Sequence, residues 1–244
     1  MKDVMLKVSE DDTKCLILNR IIKKDSVTSD IEKIKIKLKN KNVFILVEGE
    51  EIYTKYLKVP KVNDKNLNLI IKNQLLYSYG KKAEEIIYTY FISNKNKEDI
   101  EVVVFCINGE KLKWLRNCNV NFNLKKINLI QICYIDYFRR YIMEKNYMIM
   151  FKHNSSFYIV ALVNDKIIAN KIISDMKYIR VVDGLNYIIS KVSEYSNIIK
   201  KIYYCNINRE TFSKISRIGD NFEFINLGQI DEERILEYFI INRR

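Results

Sequence analysis

Residues 148–174, MIMFKHNSSFYIVALVNDKIIANKIIS, decide the fold of this chain. Three apolar runs are separated by two polar breaks, from Lys152 to Ser156 and from Asn164 to Lys166, a pattern that predicts three β-strands joined by turns. A meander of this kind often opens a phosphate-binding domain. Phosphate turns depend on glycine and other small residues, because their backbone N–H groups approach the anion closely. These residues contain no glycine, which argues against an ordinary phosphate-binding turn here.

An internal repeat extends this pattern to the N-terminus. VMLKVSEDDTKCLILN (residues 4–19) aligns without a gap on IMFKHNSSFYIVALVN (residues 149–164), with Lys7 opposite Lys152. Each segment is a strand, a polar turn and a second strand, and each is followed by a helix pattern and another strand. The shared order of elements predicts two related lobes.

The rest of the chain alternates between strand and helix patterns, which predicts an α/β fold. Strands are predicted at 3–8, 13–19, 42–48, 52–59, 86–93, 100–107, 124–129, 148–152, 157–163, 167–173, 201–205 and 222–226, and helices at 29–39, 64–78, 109–118, 130–143, 179–199 and 231–242. The first helix is ambiguous. Ile34, Ile36 and Leu38 alternate as in a strand, whereas Ile31, Ile34 and Leu38 are spaced as in a helix.

Composition narrows the class of protein. The 244 residues are 48% hydrophobic and 30% charged, which is typical of a globular protein. No apolar run approaches the roughly 18 residues that span a bilayer, and the N-terminus lacks the apolar core of a signal peptide, so we expect a cytoplasmic protein. The five cysteines are widely spaced and mostly in apolar runs, which favours reduced, buried thiols over a metal site. One histidine, His153, argues against a zinc centre or a histidine-based triad.

The net charge of +12 raises the possibility of nucleic-acid binding. The lysines are scattered, however, and runs such as IKIKLKNK (residues 34–41) lack the arginine and glycine usual in RNA-binding segments. We therefore expect no nucleic acid among the partners. A basic surface facing an anionic membrane is at least as plausible.

The segment IYTKYLKVPKVNDKNLNLIIKNQLLYSYG (residues 52–80) resembles the PilM family, the cytoplasmic actin-like component of type IV pilus assembly. The resemblance continues through residues 84–93, 100–118 and 124–142. It implies an actin-like (ribonuclease H-like) two-lobed α/β fold with a reduced second lobe. The first lobe would span residues 1–146, with a small inserted subdomain at about 61–123. The second would span residues 147–244 and lack the usual insertion.

The nucleotide-binding residues of that family are altered here. The family's first turn resembles Asp-Ile-Gly-Ser-Ser-Ser-Val-Lys, in which the Asp helps to hold the metal and the small residues cradle phosphate. The matching residues 7–14 read KVSEDDTK. Lys7 therefore stands at the position of the family's acid and Ser9 at the position of its glycine, and extra carboxylates face the phosphate position. In the second turn Lys152 stands at the position of the family's acid and Asn154 at the position of its glycine. The glycine-rich adenosine loop expected after residues 201–205 is also missing.

These changes, together with the missing insertion after residue 174, imply a non-catalytic protein with no cofactor and no metal. One alternative keeps nucleotide binding. In it, Lys7 and Lys152 approach each other across the cleft and neutralise a phosphate without Mg²⁺, although two solvated lysines are the simpler expectation. We also expect His153 to be an exposed turn residue. Residues 48–51 are expected to form a hairpin turn with Gly49 at its tight point.

A cluster of aromatic residues in the predicted subdomain is the best candidate for a partner site: Tyr77, Tyr79, Tyr88 and Tyr90. In the PilM family a groove beside this subdomain receives the short cytoplasmic N-terminal tail of PilN, a membrane-spanning partner. Tyrosines there would offer apolar area and hydroxyl groups to a peptide. Strand alternation places Tyr88 and Tyr90 on the same face.

The C-terminal residues IDEERILEYFIINRR predict a helix capped by Asp231, with an apolar stripe at Ile235, Leu236, Phe239 and Ile240. Arg243 and Arg244 could equally precede a membrane helix, as in the reduced actin-like cytoplasmic region of GspL in type II secretion.

The expected function is a non-enzymatic scaffold of type IV pilus assembly, peripheral at the inner face of the cell membrane. It would hold a PilN-like tail and contact the motor ATPase. The alternatives are a divergent ATP-binding switch and a GspL-like platform domain.

Overall fold

The computed structural model describes residues 3–9, 13–18, 30–174, 178–218 and 221–241. Its strands are β1 (Asp3–Val8), β2 (Thr13–Leu18), β3 (Asn42–Val47), β4 (Tyr53–Pro60), β5 (Ile86–Lys95), β6 (Asp99–Asn108), β7 (Asn123–Leu129), β8 (Tyr147–His153), β9 (Ser156–Val163), β10 (Lys166–Ile173), β11 (Lys201–Cys205) and β12 (Glu223–Asn226). Its α-helices are α1 (Ile31–Leu38), α2 (Asp64–Tyr79), α3 (Lys113–Arg116), α4 (Ile130–Phe138), α5 (Tyr178–Lys191), α6 (Arg209–Ile215) and α7 (Glu232–Ile241).

Two sheets share the same strand order and directions around β1 and β8. In the first, of order β2-β1-β3-β7, β1 pairs antiparallel with β2 and parallel with β3. In the second, of order β10-β9-β8-β11-β12, β8 pairs antiparallel with β9 and parallel with β11. The matching arrangement around β1 and β8 supports the internal repeat seen in the sequence.

The gapless alignment of the two repeats is nevertheless wrong by two residues. A two-residue turn, Asn154 and Ser155, joins β8 to β9, whereas residues 9–12 join β1 to β2. In the gapless alignment, β2 and β9 are therefore displaced from each other by two residues. The acids predicted to face a phosphate, Glu10, Asp11 and Asp12, lie outside the described residues.

The continuous apolar runs of β8 and β9 arise because both faces of these strands are buried. Alternate residues such as Ile149 and Phe151 join a core cluster with Met5 and Leu46 of the first sheet and with residues of α4 and α7. The intervening residues, such as Met150, join a second cluster with the apolar face of α5. A strand covered on both faces reads as an apolar run instead of an alternating pattern.

The ambiguous segment near residue 34 is a helix. Asp30 caps α1, since its side chain accepts hydrogen bonds from the backbone N–H groups of Glu32 and Lys33. Ile34 and Leu38 are buried, whereas Ile36 is exposed. The burial therefore follows the helical spacing and contradicts the strand alternation.

The predicted hairpin at residues 48–51 is wrong. β3 pairs with β1 and β7, and β4 pairs with β6 in a separate three-stranded sheet of order β4-β6-β5. The chain divides into two compact units, of which unit 1 is residues 1–49 and 118–244 and unit 2 is residues 50–117. Gly49 is the last residue of unit 1 before the chain enters unit 2. The predicted lobe boundary at residue 146 stays a prediction.

Unit 2 packs α2 against one face of its three-stranded sheet. Leu67, Ile71 and Leu75 of α2 form a core with alternate residues of β6, including Val102 and Val104. The spacing of the three α2 residues is that of one helical face, as the sequence indicates.

Between β10 and β11 the described residues contain α5 and a short 3₁₀ turn, Ser193–Tyr195. The predicted helix over 179–199 is therefore too long by about two turns. α6 has no counterpart among the predicted helices. Its seven residues, RETFSKI, are too few for a clear period and begin at the cap Asn208.

The C-terminal helix α7 agrees with the sequence pattern. Ile235, Leu236 and Phe239 are buried in the core cluster that joins the two sheets of unit 1. The side chain of Ile240, and residues Arg243 and Arg244, lie outside the described part of the chain.

We predict that Gly109→Ala destabilises unit 2. A Cβ at Gly109 would lie 2.4 Å from the backbone oxygen of Glu85, to which the Gly109 N–H donates. Overpacking against backbone costs about 1–3 kcal/mol. Trp114, the single tryptophan, lies in unit 2, so its fluorescence follows urea unfolding there.

Gly184→Ala in α5 is the matched control, because its Cβ would meet the flexible tip of Ile173. An equal or larger shift of the tryptophan transition in the control would contradict the prediction.

Candidate functional site

Three polar side chains of unit 1 lie at the carboxyl ends of strands. Lys7 is the penultimate residue of β1, Glu48 directly follows β3, and His153 ends β8. Because β1 and β3 are parallel neighbours, their carboxyl ends lie at the same edge of the first sheet. The Glu48 N–H donates to the carbonyl of Val8 at 2.8 Å, which fixes the acid beside β1.

The ammonium of Lys7 is the centre of this cluster. Its Nζ lies 3.1 Å from Oε1 of Glu48 and donates a hydrogen bond to Oε1 of Glu232 in the first turn of α7. The Lys7 side chain is only 11% exposed. An ammonium taken out of water costs several kcal/mol unless it is well paired, and here two carboxylates pair it.

Both carboxylate oxygens of Glu48 have partners. Oε1 lies 2.8 Å from Nε2 of His153, and Oε2 accepts a hydrogen bond from Nδ2 of Asn154 at 3.1 Å. Asn154 has a φ of 53°, a left-handed conformation that asparagine tolerates better than most non-glycine residues. Asn154 therefore adopts a backbone conformation that is usual for a turn glycine, and its side chain adds a hydrogen-bond donor.

His153 is held from its other side by Tyr134. Nδ1 of His153 lies 3.3 Å from the Tyr134 hydroxyl, which lies 3.2 Å from Nδ2 of Asn206. We assign the His153 proton to Nε2, which donates to Glu48, so that Nδ1 accepts from Tyr134. The Asn206 amide then donates to the Tyr134 oxygen, and every group in the chain of hydrogen bonds has a partner.

Asn206 also fixes the segment that leads into α7. Its Oδ1 accepts from the Ile230 N–H at 2.7 Å, and its Nδ2 donates to the Ile230 carbonyl at 3.0 Å. Two residues later the chain reaches Glu232. The loop after β11 thereby sets the position of the second carboxylate on Lys7.

The pairing shifts the pKa values of both partners towards their charged forms. Burial alone would raise the pKa of Glu48, but His153 and Lys7 outweigh it and hold the pKa below its usual value. Burial likewise acts to lower the pKa of Lys7, but Glu48 and Glu232 raise it above its usual value. Burial raises the pKa of Tyr134, which keeps its hydroxyl a hydrogen-bond donor.

The arrangement also has the donor set of a metal site. Glu48, His153 and Glu232 each offer one ligand atom, and these atoms lie within 4.8 Å of one another. Carboxylate oxygens and imidazole nitrogen are common ligands of divalent transition metals. The ammonium of Lys7 is bonded to both carboxylates.

Two expectations from the sequence are wrong. His153 is 4% exposed and is not an exposed turn residue, because it is the last residue of β8 and faces Glu48. Lys7 is not a solvated lysine, because two carboxylates hold it, whereas Lys152 is exposed. An open pair of lysines therefore does not describe this site. Ser9, at the former glycine position, is half-buried.

The four candidate tyrosines fall into two groups within unit 2. Tyr77 is 88% exposed and Tyr79 is 40% exposed at the end of α2. Tyr88 and Tyr90 are half-buried on β5 and pack against the core under α2, with the Tyr90 hydroxyl 3.3 Å from the side chain of Asn68. Their shared face follows the predicted alternation, but their rings also fill the core of unit 2.

Sequence reasoning misses the acids and the asparagine that complete the cluster: Glu48, Glu232 and Asn206. Glu48 carries one usable signal, since an acid directly after the fully apolar segment VFILV marks the carboxyl end of a buried strand. The other two carry none, because Glu232 reads as an ordinary acid at a helix start and Asn206 as a loop residue.

Solved structures resemble this chain over almost its full length. A Bacteroides thetaiotaomicron protein with an actin-like ATPase fold and unknown function matches with a TM-score of 0.54 and 12% identity, covering 98% of this chain and 95% of that one. A chain of a PilM–PilN type IV pilus biogenesis complex matches with a TM-score of 0.55 and 11% identity, over 97% and 94%. A third match is the cytoplasmic domain of EpsL, an inner-membrane component of the Vibrio cholerae type II secretion system. Its TM-score is 0.54 and its sequence identity is 9%, and the match covers 99% of this chain and 96% of that one.

No protein family and no curated protein matches the sequence. Among the described residues, no helix has the length and apolar character needed to cross a membrane. The structural likeness establishes the fold. The chain has an actin-like α/β fold, as the sequence resemblance implies.

We predict that Glu48 makes stability sensitive to acid. A pKa held below the usual 4.5 means that the native state resists protonation. The contribution of Glu48 is therefore present above about pH 4.5 and is lost as the pH falls through its native pKa. Glu48→Gln should lower the free energy of unfolding near pH 7 by on the order of 3 kcal/mol.

The difference between wild type and Glu48→Gln should shrink as the pH falls from 6 towards 3 in urea titrations. Glu237→Gln, an exposed position on α7, is the control and should keep the wild-type pH slope. Parallel curves for wild type and Glu48→Gln would refute the assignment.

Proposed function

We propose that this chain is a non-catalytic cytoplasmic adaptor of a type IV pilus-like assembly machinery, peripheral at the inner membrane. It would bind the cytoplasmic tail of a PilN-like membrane protein and connect it to the motor ATPase. The observation that carries the non-catalytic part is the ammonium of Lys7, held by Glu48 and Glu232 where the resemblance places a metal-binding acid.

Charge at this position opposes a magnesium–nucleotide complex. Lys7 repels a divalent cation, and the two carboxylates around it outnumber it, so the cluster is net negative and repels phosphate. Lys7 would have to leave both partners before it could contact an anion. Breaking a buried pair leaves uncompensated charges and costs several kcal/mol.

The segment after β11, where the resemblance places the adenosine loop, gives further support. Its first residue, Asn206, uses its side-chain amide to bond both backbone groups of Ile230. A glycine-rich loop leaves its backbone open to a ligand, whereas this side chain fills the position with internal hydrogen bonds.

The proposed partner contact lies on unit 2. Tyr77 and Tyr79 expose aromatic area at the end of α2, and aromatic residues of this kind are frequent anchors of protein interfaces. Tyr88 and Tyr90 would contribute mainly by shaping the sheet beneath, because they pack against its core.

A second candidate function is the corresponding platform domain of a type II secretion system. The likeness to the cytoplasmic domain of EpsL is as close as that to the chain of the PilM–PilN complex. The two candidates differ in how the chain meets the membrane. The first would bind the tail of a separate membrane protein, whereas the second would belong to an inner-membrane component itself, as the cytoplasmic domain of EpsL does.

We predict that the purified protein gives no calorimetric signal with Mg-ATP or Mg-ADP up to about millimolar ligand, because Lys7 occupies the place of a metal-binding acid and the net negative cluster repels phosphate. The same titration without metal tests the two-lysine alternative. Binding that needs Mg²⁺ would contradict the proposal. Metal-free binding that is lost in Lys152→Ala would replace it with the nucleotide-switch alternative.

We predict that Tyr77→Ala and Tyr79→Ala each weaken binding of a PilN-like N-terminal peptide by roughly tenfold, as expected for interface anchors. Fluorescence anisotropy with a labelled peptide measures the affinity. Tyr141→Ala, an exposed tyrosine of unit 1, is the matched control and should leave affinity unchanged. Equal affinities for all variants would remove the tyrosines from the partner site.

A further inference from the structure

We propose that Glu48 and Glu232 form a cation-binding site whose occupant is the chain's own Lys7 ammonium, and that these two residues together with His153 bind a divalent transition metal once Lys7 is replaced by an uncharged residue. In this view Lys7 takes the structural place of a metal ion and ties α7 to the ends of β1, β3 and β8. The inference rests on the non-catalytic part of the proposed function and is independent of the pilus partner.

The ligand set favours a metal that accepts both imidazole and carboxylate ligands, such as zinc or manganese, over calcium. Two carboxylate oxygens and one imidazole nitrogen lie within 4.8 Å of one another. Zn²⁺ binds such donors with four-coordinate geometry, and a solvent molecule can complete it. Ca²⁺ requires six to eight oxygen ligands, which this cluster does not supply.

The spacing of the ligands suits the ammonium and must be adjusted for a metal. Charge-assisted N–H···O bonds are about 2.7–2.9 Å long, whereas Zn–O and Zn–N bonds are about 2.0–2.2 Å. Tetrahedral ligands at these bond lengths lie about 3.4 Å apart. Nε2 of His153 and Oε1 of Glu48, which are 2.8 Å apart, must therefore separate slightly, and ligand atoms up to 4.8 Å apart must close by as much as about 1.4 Å. The Glu232 side chain is 34% exposed and has room to make that movement.

The partners behind the ligands resemble the outer contacts of a metal site. His153 is buried and its Nδ1 meets the Tyr134 hydroxyl at 3.3 Å, while Asn154 holds the second oxygen of Glu48 at 3.1 Å. Such contacts orient metal ligands in proteins. A proton shift of His153 from Nε2 to Nδ1 would free Nε2 to bind the ion and make Tyr134 the acceptor.

The Lys7→Ala variant provides the test, because it removes the ammonium and leaves a space between the carboxylates. Without metal, its melting temperature should fall by several degrees, since Glu48 and Glu232 lose their cation. Zn²⁺ and Mn²⁺ should each bind with a stoichiometry of one in calorimetry and restore the melting temperature. Wild-type protein should bind at least tenfold more weakly, because Lys7 competes.

Three controls isolate the site. Lys7→Arg keeps a cation and should gain no metal binding. Lys7→Ala combined with Glu232→Gln should lose at least tenfold in affinity relative to Lys7→Ala. Ca²⁺ should leave the melting temperature of Lys7→Ala unchanged. The protein is used without a histidine tag, and Mn²⁺ serves beside Zn²⁺ because manganese has little preference for the cysteine thiols.

The inference is overturned if folded Lys7→Ala binds neither metal, or if the Glu232→Gln change leaves its affinity unaltered. A Lys7→Ala protein that stays unfolded at every metal concentration also overturns it, since a bound ion stabilises the native state by mass action. Failure here is distinct from failure of the proposed function, which is decided by nucleotide binding to the wild-type protein.

Discussion

The ion pair between Lys7 and Glu48 is the interaction on which the rest of the site depends. It places an ammonium at the end of β1 against a carboxylate at the end of β3, 3.1 Å apart. The same ammonium holds Glu232 of α7, and the same carboxylate holds His153 of β8. One ion pair thereby joins both sheets and the C-terminal helix of unit 1, in surroundings where an unpaired partner would be costly.

The fold is actin-like, although the positions that the resemblance assigns to nucleotide binding carry other residue types in this chain. Lys7 stands at the position where the resemblance places a cation-binding carboxylate, and its ammonium contacts the carboxylates of Glu48 and Glu232. Asn154 keeps the left-handed turn with a φ of 53° in place of a glycine. Asn206 closes the loop after β11 by bonding Ile230. Lys7, Asn154 and Asn206 all direct their side-chain polar groups to other groups of the protein.

The sequence predicts the framework better than the site, for a physical reason. Helices such as α2 follow from apolar periodicity, and strands such as β8 and β9 follow from apolar runs between polar breaks; both signals are local. The site is made by pairs far apart in the chain: 225 residues separate Lys7 from Glu232, and 105 separate Glu48 from His153. No local pattern encodes such pairs, so the sequence alone assigns Glu48 to a hairpin and His153 to an exposed turn.

A double-mutant cycle on Lys7 and Glu48 tests the central claim most directly. The free energies of unfolding of wild type, Lys7→Met, Glu48→Gln and the double variant would be measured by urea titration at pH 7. We expect a coupling energy above about 1 kcal/mol, as for residues in one buried network. Single effects that add to within roughly 0.5 kcal/mol would contradict the account, because Lys7 would then not be the cation that holds the site together.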